Sequence, residues 1–158
     1  MTWRGANTVP DRIFAALPYL LPLVYSIGFG RYLFNQFPAT QVLLVPLAPV
    51  IQIVMGFPFA SLIIFFLLLF LVVRNENISH FIRFNTMQAI LLDIVLFLCQ
   101  LIFGLLGGAL GDGLIVETLS NVIFLGTLAI VGYSVVQSLM GRYAEIPTLS
   151  EAVHMQVR

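Results

Sequence analysis

The chain contains no lysine. All seven of its basic residues are arginine, seven acidic residues balance them, and charged side chains make up only 9% of the 158 residues. A soluble domain carries about a quarter charged residues, so an ordinary water-facing surface is excluded. With no basic stripe to neutralise a phosphate backbone, nucleic acid is excluded as a partner. A single cysteine, Cys99, rules out an intramolecular disulfide framework, and its place inside an apolar run reads as core. The two histidines, His80 and His154, stand far apart. No His/Glu metal spacing, no Gly-rich phosphate loop after a strand and no Ser/His/Asp set occurs. No catalytic, cofactor-binding or metal-binding residue is therefore expected, and the glycines from Gly107 to Gly113 read as a hairpin turn.

What the chain does have is apolar surface: 60% hydrophobic and 13% aromatic residues, with a mean hydropathy of +1.04. These values describe an integral membrane protein. A helix needs about 20 apolar residues to cross a bilayer, and four runs qualify, at about 13–29, 57–73, 84–106 and 114–139. The expected fold is all-α and polytopic, one four-helix transmembrane domain. Residues 41–55 are apolar but contain Pro46 and Pro49, and Gly56 and Pro58 follow. Proline removes a backbone donor and clashes with the preceding turn, so this stretch reads as a broken interfacial or re-entrant segment, with a fifth crossing as the alternative.

Loops that stay on the side of synthesis retain arginine. With four spans, Arg4, Arg12, Arg74, Arg83, Arg142 and Arg158 share one side and Arg31 alone faces the other. Both termini are thus expected on the cytoplasmic or stromal side. The polar head 1–12, with Trp3, Arg4 and Asn7, is too short for a transit peptide and precedes no small-residue cleavage site, so insertion without N-terminal processing is expected. The polar tail 141–158 reads as a loop followed by a short turn or helix with Ser150 as its cap.

Polar and small residues recur at sevens in the third run: Thr86, Asp93, Gln100 and Gly107, with Ala89 on the same face. Seven residues make almost two helical turns, so they form one stripe. The fourth run repeats the pattern with Ser120, Thr127, Ser134 and Gly141, and Ser138 lies close by. Small residues let helices approach closely in lipid, and the two runs are expected to form a hairpin. Asp93 stands apart, because a charge at bilayer depth costs about 2.5–3.5 kcal/mol even on insertion-based scales. It must be paired, protonated or wetted. One reading is a neutral Asp93 hydrogen-bonded to Gln100 or to a neighbouring helix; the other sets Asp93, Gln100 and Asn121 along a hydrated cavity. Arg83, Asn85 and Gln88 sit where the third run meets the arginine-rich side, and Arg31 lies near the opposite surface. These four are read as interfacial or partner-contacting residues, against snorkelling and capping as the plainer alternative. Pro18 and Pro22 kink the first run and free carbonyls that need internal partners or water.

The strings "LPYLLP", "GFGRYLF", "VVRNENISHFIRFNTMQAILLDI" and "IPTLSEAV" resemble the twenty-kilodalton subunit family of the translocon at the inner envelope membrane of chloroplasts, in its cyanobacterial or plastid-encoded branch. The resemblance runs from Leu17 to Val153. It implies a four-helix membrane protein with both termini in the stroma, assigned to preprotein import as part of a protein-conducting channel or its assembly. The partners it implies are other membrane subunits of a translocon, further copies of the chain and a polypeptide substrate, with the lipid bilayer around them. The alternatives are a non-channel scaffold or assembly factor and then a small-solute transporter, for which no inverted repeat is visible.

Overall fold

The computed structural model describes residues 8–111 and 113–157. The expectations for Trp3, Arg4 and Asn7 of the polar head, for Asp112 and for Arg158 lie outside these residues.

Helix α1 (Val9–Gln36) is a 28-residue rod that starts inside the expected polar head rather than at residue 13. A capping box sets its first turn. The Thr8 hydroxyl accepts from the Asp11 amide at 3.3 Å, while the Asp11 carboxylate accepts from the Thr8 amide at 3.2 Å. Pro18 and Pro22 lack the amide hydrogen that the helical ladder needs. The rod tightens into a 3-10 turn at Leu17–Tyr19, which contains Pro18 and the carbonyl four residues before Pro22, and a second 3-10 turn follows at Ile27–Gly30.

The chain from 38 to 56 forms two short helices, Pro38–Leu44 and Ala48–Gly56, bent by 76°. Pro46 lies in the break, and Pro49 occupies the first turn of the second piece, where a missing amide hydrogen has no helical partner to lose. Helix α2 (Ala60–Val73) begins later than residue 57, because Phe59 sits in the left-handed region at φ 61° directly after Pro58. Its last five residues, Leu69–Val73, widen into a π-helix. At about 21 Å, α2 is shorter than a bilayer core of roughly 30 Å.

Helix α3 (His80–Leu110) has 31 residues and is capped by Ser79, whose hydroxyl accepts from the Ile82 amide at 3.3 Å. Helix α4 (Leu114–Leu139) has 26 residues, and a short helix α5 (Leu149–Gln156) ends the described chain. Among the described residues three helices, α1, α3 and α4, are long and apolar enough to cross a membrane, or up to four spans exist if the bent pair counts as one. The protein is an all-α polytopic membrane protein.

The expected hairpin of the third and fourth runs is corrected in one respect. Helix α1 packs against both α3 and α4, which touch each other little. The small-residue stripe of α4, with Ser120, Thr127, Ser134 and Ser138, is buried, and α1 meets α4 tightly at Gly30, where a Cβ would fall 2.9 Å from the Phe124 ring. The main neighbour of α4 is thus α1 rather than α3, and the small residue at this close approach belongs to α1. Three apolar clusters follow the bundle axis: Val73, Phe84, Met87, Ile90, Val153 and Val157 around the tail; Tyr19, Ala89, Leu92 and Val131 beyond it; then Phe29, Leu96 and Phe124. The tail thus contributes to the core. It leaves α4 through Gly141, at φ 78°, against the Arg12 guanidinium, a conformation that glycine adopts without strain.

Candidate functional site

Where α1, α3, α4 and the tail converge, five polar side chains are buried together: Tyr19, Asn85, Gln88, Ser138 and Ser150. Asn85 and Gln88, three residues apart, share one face of α3. The Tyr19 hydroxyl donates to Asn85 Oδ1 at 2.8 Å, and the Ser138 hydroxyl donates to the same oxygen at 3.0 Å. Asn85 Nδ2 donates to the Phe81 carbonyl at 2.9 Å. Gln88 Nε2 donates to the Tyr19 hydroxyl and to the Ala144 carbonyl, each at 3.0 Å. A carbonyl can only accept, so Ala144 fixes which end of the Gln88 amide faces it. The remaining Gln88 oxygen accepts from the Ser150 hydroxyl at 2.7 Å, and that hydroxyl in turn accepts from the Ile146 amide at 2.6 Å. Every member makes at least one hydrogen bond to another member, and Asn85, Gln88 and Ser150 complete theirs with the backbone groups of Phe81, Ala144 and Ile146, as buried polar groups do to offset their desolvation.

Ser150 is therefore not the cap of α5. The cap position belongs to Thr148, which makes no side-chain capping bond. Thr148 has φ 68°, and the Leu149 amide reaches the Pro147 carbonyl at 2.8 Å, a strained γ-turn that swings Ser150 inward. Tyr143 secures the same tail from outside the spans. Its ring meets Phe81 and Phe84 edge-on, each at 5.0 Å, and its hydroxyl lies 2.8 Å from His80 Nδ1. Burial, with Glu145 nearby, raises the Tyr143 phenol above its ordinary pKa, so it remains neutral beside the histidine.

Arg83 is buried, and its Nε donates to the Val73 carbonyl at 2.8 Å, which ties the C-terminal end of α2 to α3. A cation there also complements the helix dipole. Arg31 is exposed, donates to the Tyr32 hydroxyl at 2.8 Å and lies over that ring at 4.7 Å from its centroid. Among the described residues, the buried Thr86 hydroxyl and the buried Asn121 Oδ1 have no hydrogen-bond partner. Asp93 lies with Leu21, Tyr25, Ser61, Phe97 and Gln100 around a groove of ≈ 580 Å³. A second groove of ≈ 370 Å³, lined by Gly28, Arg31, Gln100, Gly107 and Ser120 among others, also includes Gln100. Asn121 lines neither groove. The structure thus brings Asp93 and Gln100 to one groove without a hydrogen bond between them, and Asp93 Oδ1 has no partner among the described residues.

Sequence reasoning placed Asn85 and Gln88 at an interface and did not join Tyr19, Ser138 and Ser150 to them. The available signal for Tyr19 was its hydroxyl within an apolar, proline-kinked run, since a buried tyrosine requires a partner. Tyr19→Phe deletes one donor and one acceptor while keeping the ring. It is expected to cost about 1–2 kcal/mol, read as a lower unfolding temperature in detergent; an unchanged midpoint would show that the cluster does not couple α1 to α3.

Fold and site together define a small polytopic helical membrane protein whose polar side chains bind its own helices and tail to one another. The chain belongs to the Tic20 family: the family described as "Chloroplast import apparatus Tic20-like" matches residues 8–153. It is 52% identical over 149 residues to a Tic20 family protein of Synechocystis sp. (strain ATCC 27184 / PCC 6803 / Kazusa), covering 94% of this chain and 93% of that one. It is 38% identical over 148 residues to Protein TIC 20-v, chloroplastic, of Arabidopsis thaliana, covering 93% of this chain and 71% of that one. Over 156 residues it is 34% identical to the Tic20 family protein Ycf60 of Gracilaria tenuistipitata var. liui, covering 95% and 76%. The resemblance read from four short strings is thus family membership, with relatives in cyanobacteria and plastids.

Proposed function

We propose that the chain is a non-enzymatic membrane subunit of a protein translocation complex like the preprotein import machinery of the chloroplast inner envelope, and that it shapes a conducting path only with further copies or partner subunits. The carrying observation is the closed cluster around Asn85 and Gln88. Its hydrogen bonds are made inside the chain, which supports an arginine-rich end of the bundle without a polar lumen for a passing polypeptide. The same observation favours a scaffold or assembly role as the second reading.

Both are tested where this chain replaces the resident family member. An arrested precursor should crosslink to it and copurify with other membrane subunits, and depletion should slow precursor delivery. Normal delivery after depletion, with loss of the complex's other subunits, would favour the scaffold. A complex and delivery that both survive depletion would contradict both readings.

The proposed orientation puts both termini and the loop between α2 and α3 on the arginine-rich side. In a Cys99→Ser background, single cysteines at the exposed positions Asn77 and Glu151 should label from one face and a cysteine at Gly113 from the other. Opposite labelling of Asn77 and Glu151 would refute this topology.

A further inference from the structure

An apolar groove on a membrane helix bundle is ordinarily filled by acyl chains, so the groove between α1, α2 and α3 would call for no explanation except for Asp93. Its carboxyl stands in the heptad-spaced stripe of α3, with Oδ1 buried and without a hydrogen-bond partner among the described residues. Around it stand Tyr25, Ser61 and Gln100, amid Leu62, Phe65 and Phe97. No cation of this chain among the described residues pairs with it. The described arginines lie at helix ends or in loops: Arg12 in the first turn of α1, Arg31 toward its close, Arg74 after α2, Arg83 in the first turn of α3 and Arg142 after α4. Asp93 lies about 15 Å along α3 from Arg83, deeper than an arginine at the helix end reaches. Lipid headgroups stay at the surface of a hydrocarbon core about 30 Å thick. A second copy would bring another carboxyl, since this sequence places no base at that depth.

We propose that this groove seats a transmembrane helix of a different protein, one that carries an arginine or lysine at mid-membrane depth to pair with Asp93. Ionisable groups inside membranes are found paired or facing water, and a complementary base from a neighbouring chain meets that requirement while the partner's apolar face covers Leu62, Phe65 and Phe97. Tyr25, Ser61 and Gln100 supply further hydrogen bonds to the same base. The proposal rests on the reading of the chain as a complex subunit, and not on any passage of polypeptide through it.

The test places a photoreactive phenylalanine analogue at Phe97 or Leu62, with Leu125 on the lipid-facing side of α4 as a control, in the full chain in its native membrane. The expected result is that Phe97 and Leu62 capture the same second protein, through an apolar segment of about 18 residues or more that contains an arginine or lysine, and that Leu125 does not. Asp93→Asn keeps the shape and removes the charge. It should lower that capture at least about tenfold, whereas Asp93→Glu should retain most of it. Unchanged tryptic cleavage after Arg142 checks that the variants fold. Capture of a second copy, of lipid alone, or of precursor chains only while transport runs would overturn the proposal, as would undiminished capture by Asp93→Asn. Precursor delivery that depends on the chain without groove capture would overturn this proposal alone. Groove capture with delivery and assembly indifferent to depletion would overturn the translocation reading alone.

Discussion

Gln88→Glu is expected to release the C-terminal tail from the bundle. The substitution is nearly isosteric, yet it exchanges the amide nitrogen that donates to Tyr19 and to the Ala144 carbonyl for an oxygen that accepts. Two oxygens would then face each other across the 3.0 Å gap to Ala144, in a place where Gln88 is fully buried. Protonating the new carboxyl restores one donor where two are needed. Ser150 recovers part of the loss by turning toward Ala144, whose carbonyl it already approaches at 3.3 Å. The net cost is about 2–3 kcal/mol, which corresponds to roughly a 30- to 150-fold larger population of undocked tail. Arg142 is exposed at the tail's root, so trypsin reads this population when opening is fast relative to cleavage. Cleavage after Arg142 should accelerate by that factor. Gln88→Leu, which removes the same two donors without adding a carboxyl and also leaves Ser150 to donate to Ala144, should accelerate it less. Wild-type cleavage in Gln88→Glu would show that the tail is held by the apolar contacts of Val153 and Val157 alone.

Gly30→Ala is expected to disrupt the seating of α1 on α4, by overpacking. Gly30 has φ −86°, so alanine meets no backbone strain and the cost is steric. The added Cβ would lie 2.9 Å from Phe124, which is itself confined by Phe34 at 5.4 Å in an edge-on contact. Overpacking of this kind costs about 1–3 kcal/mol, and Gly30→Leu should cost more. Gly28→Ala is the internal control, because nothing lies within 4 Å of its Cβ. Thermal unfolding in detergent should fall for Gly30→Ala and stay unchanged for Gly28→Ala, and Phe124→Leu should restore part of the loss in the first. Equal midpoints for the two alanine variants would contradict the placement of α1.

Apolar runs made the membrane fold legible, because a bilayer demands length and hydropathy and both are linear properties of sequence. The run at 114–139 coincides with α4. Helix ends were less legible: α1 extends to Val9 because a capping box overrides the polarity of its first turn, and α2 starts at Ala60 because Pro58 and the left-handed Phe59 delay it. The sevenfold stripes led to an expected pairing of α4 with α3, whereas α4 packs mainly on α1, since a stripe of Ser120, Thr127 and Ser134 suits any helix. Asn85 and Gln88 could be placed at an interface by position. Tyr19 and Ser150 could not be joined to them, because the contacts span 66 and 62 residues and depend on a γ-turn at Thr148 that no propensity suggests.

That the chain closes its own polar end and conducts nothing by itself is tested most directly in planar bilayers. Purified, monodisperse monomer, with its tail shown to be docked by slow cleavage after Arg142, should leave the membrane at its protein-free conductance across the applied voltages. Gating events that scale linearly with monomer and persist under conditions that exclude oligomers would contradict the account, because a polar lumen would then exist within the single chain.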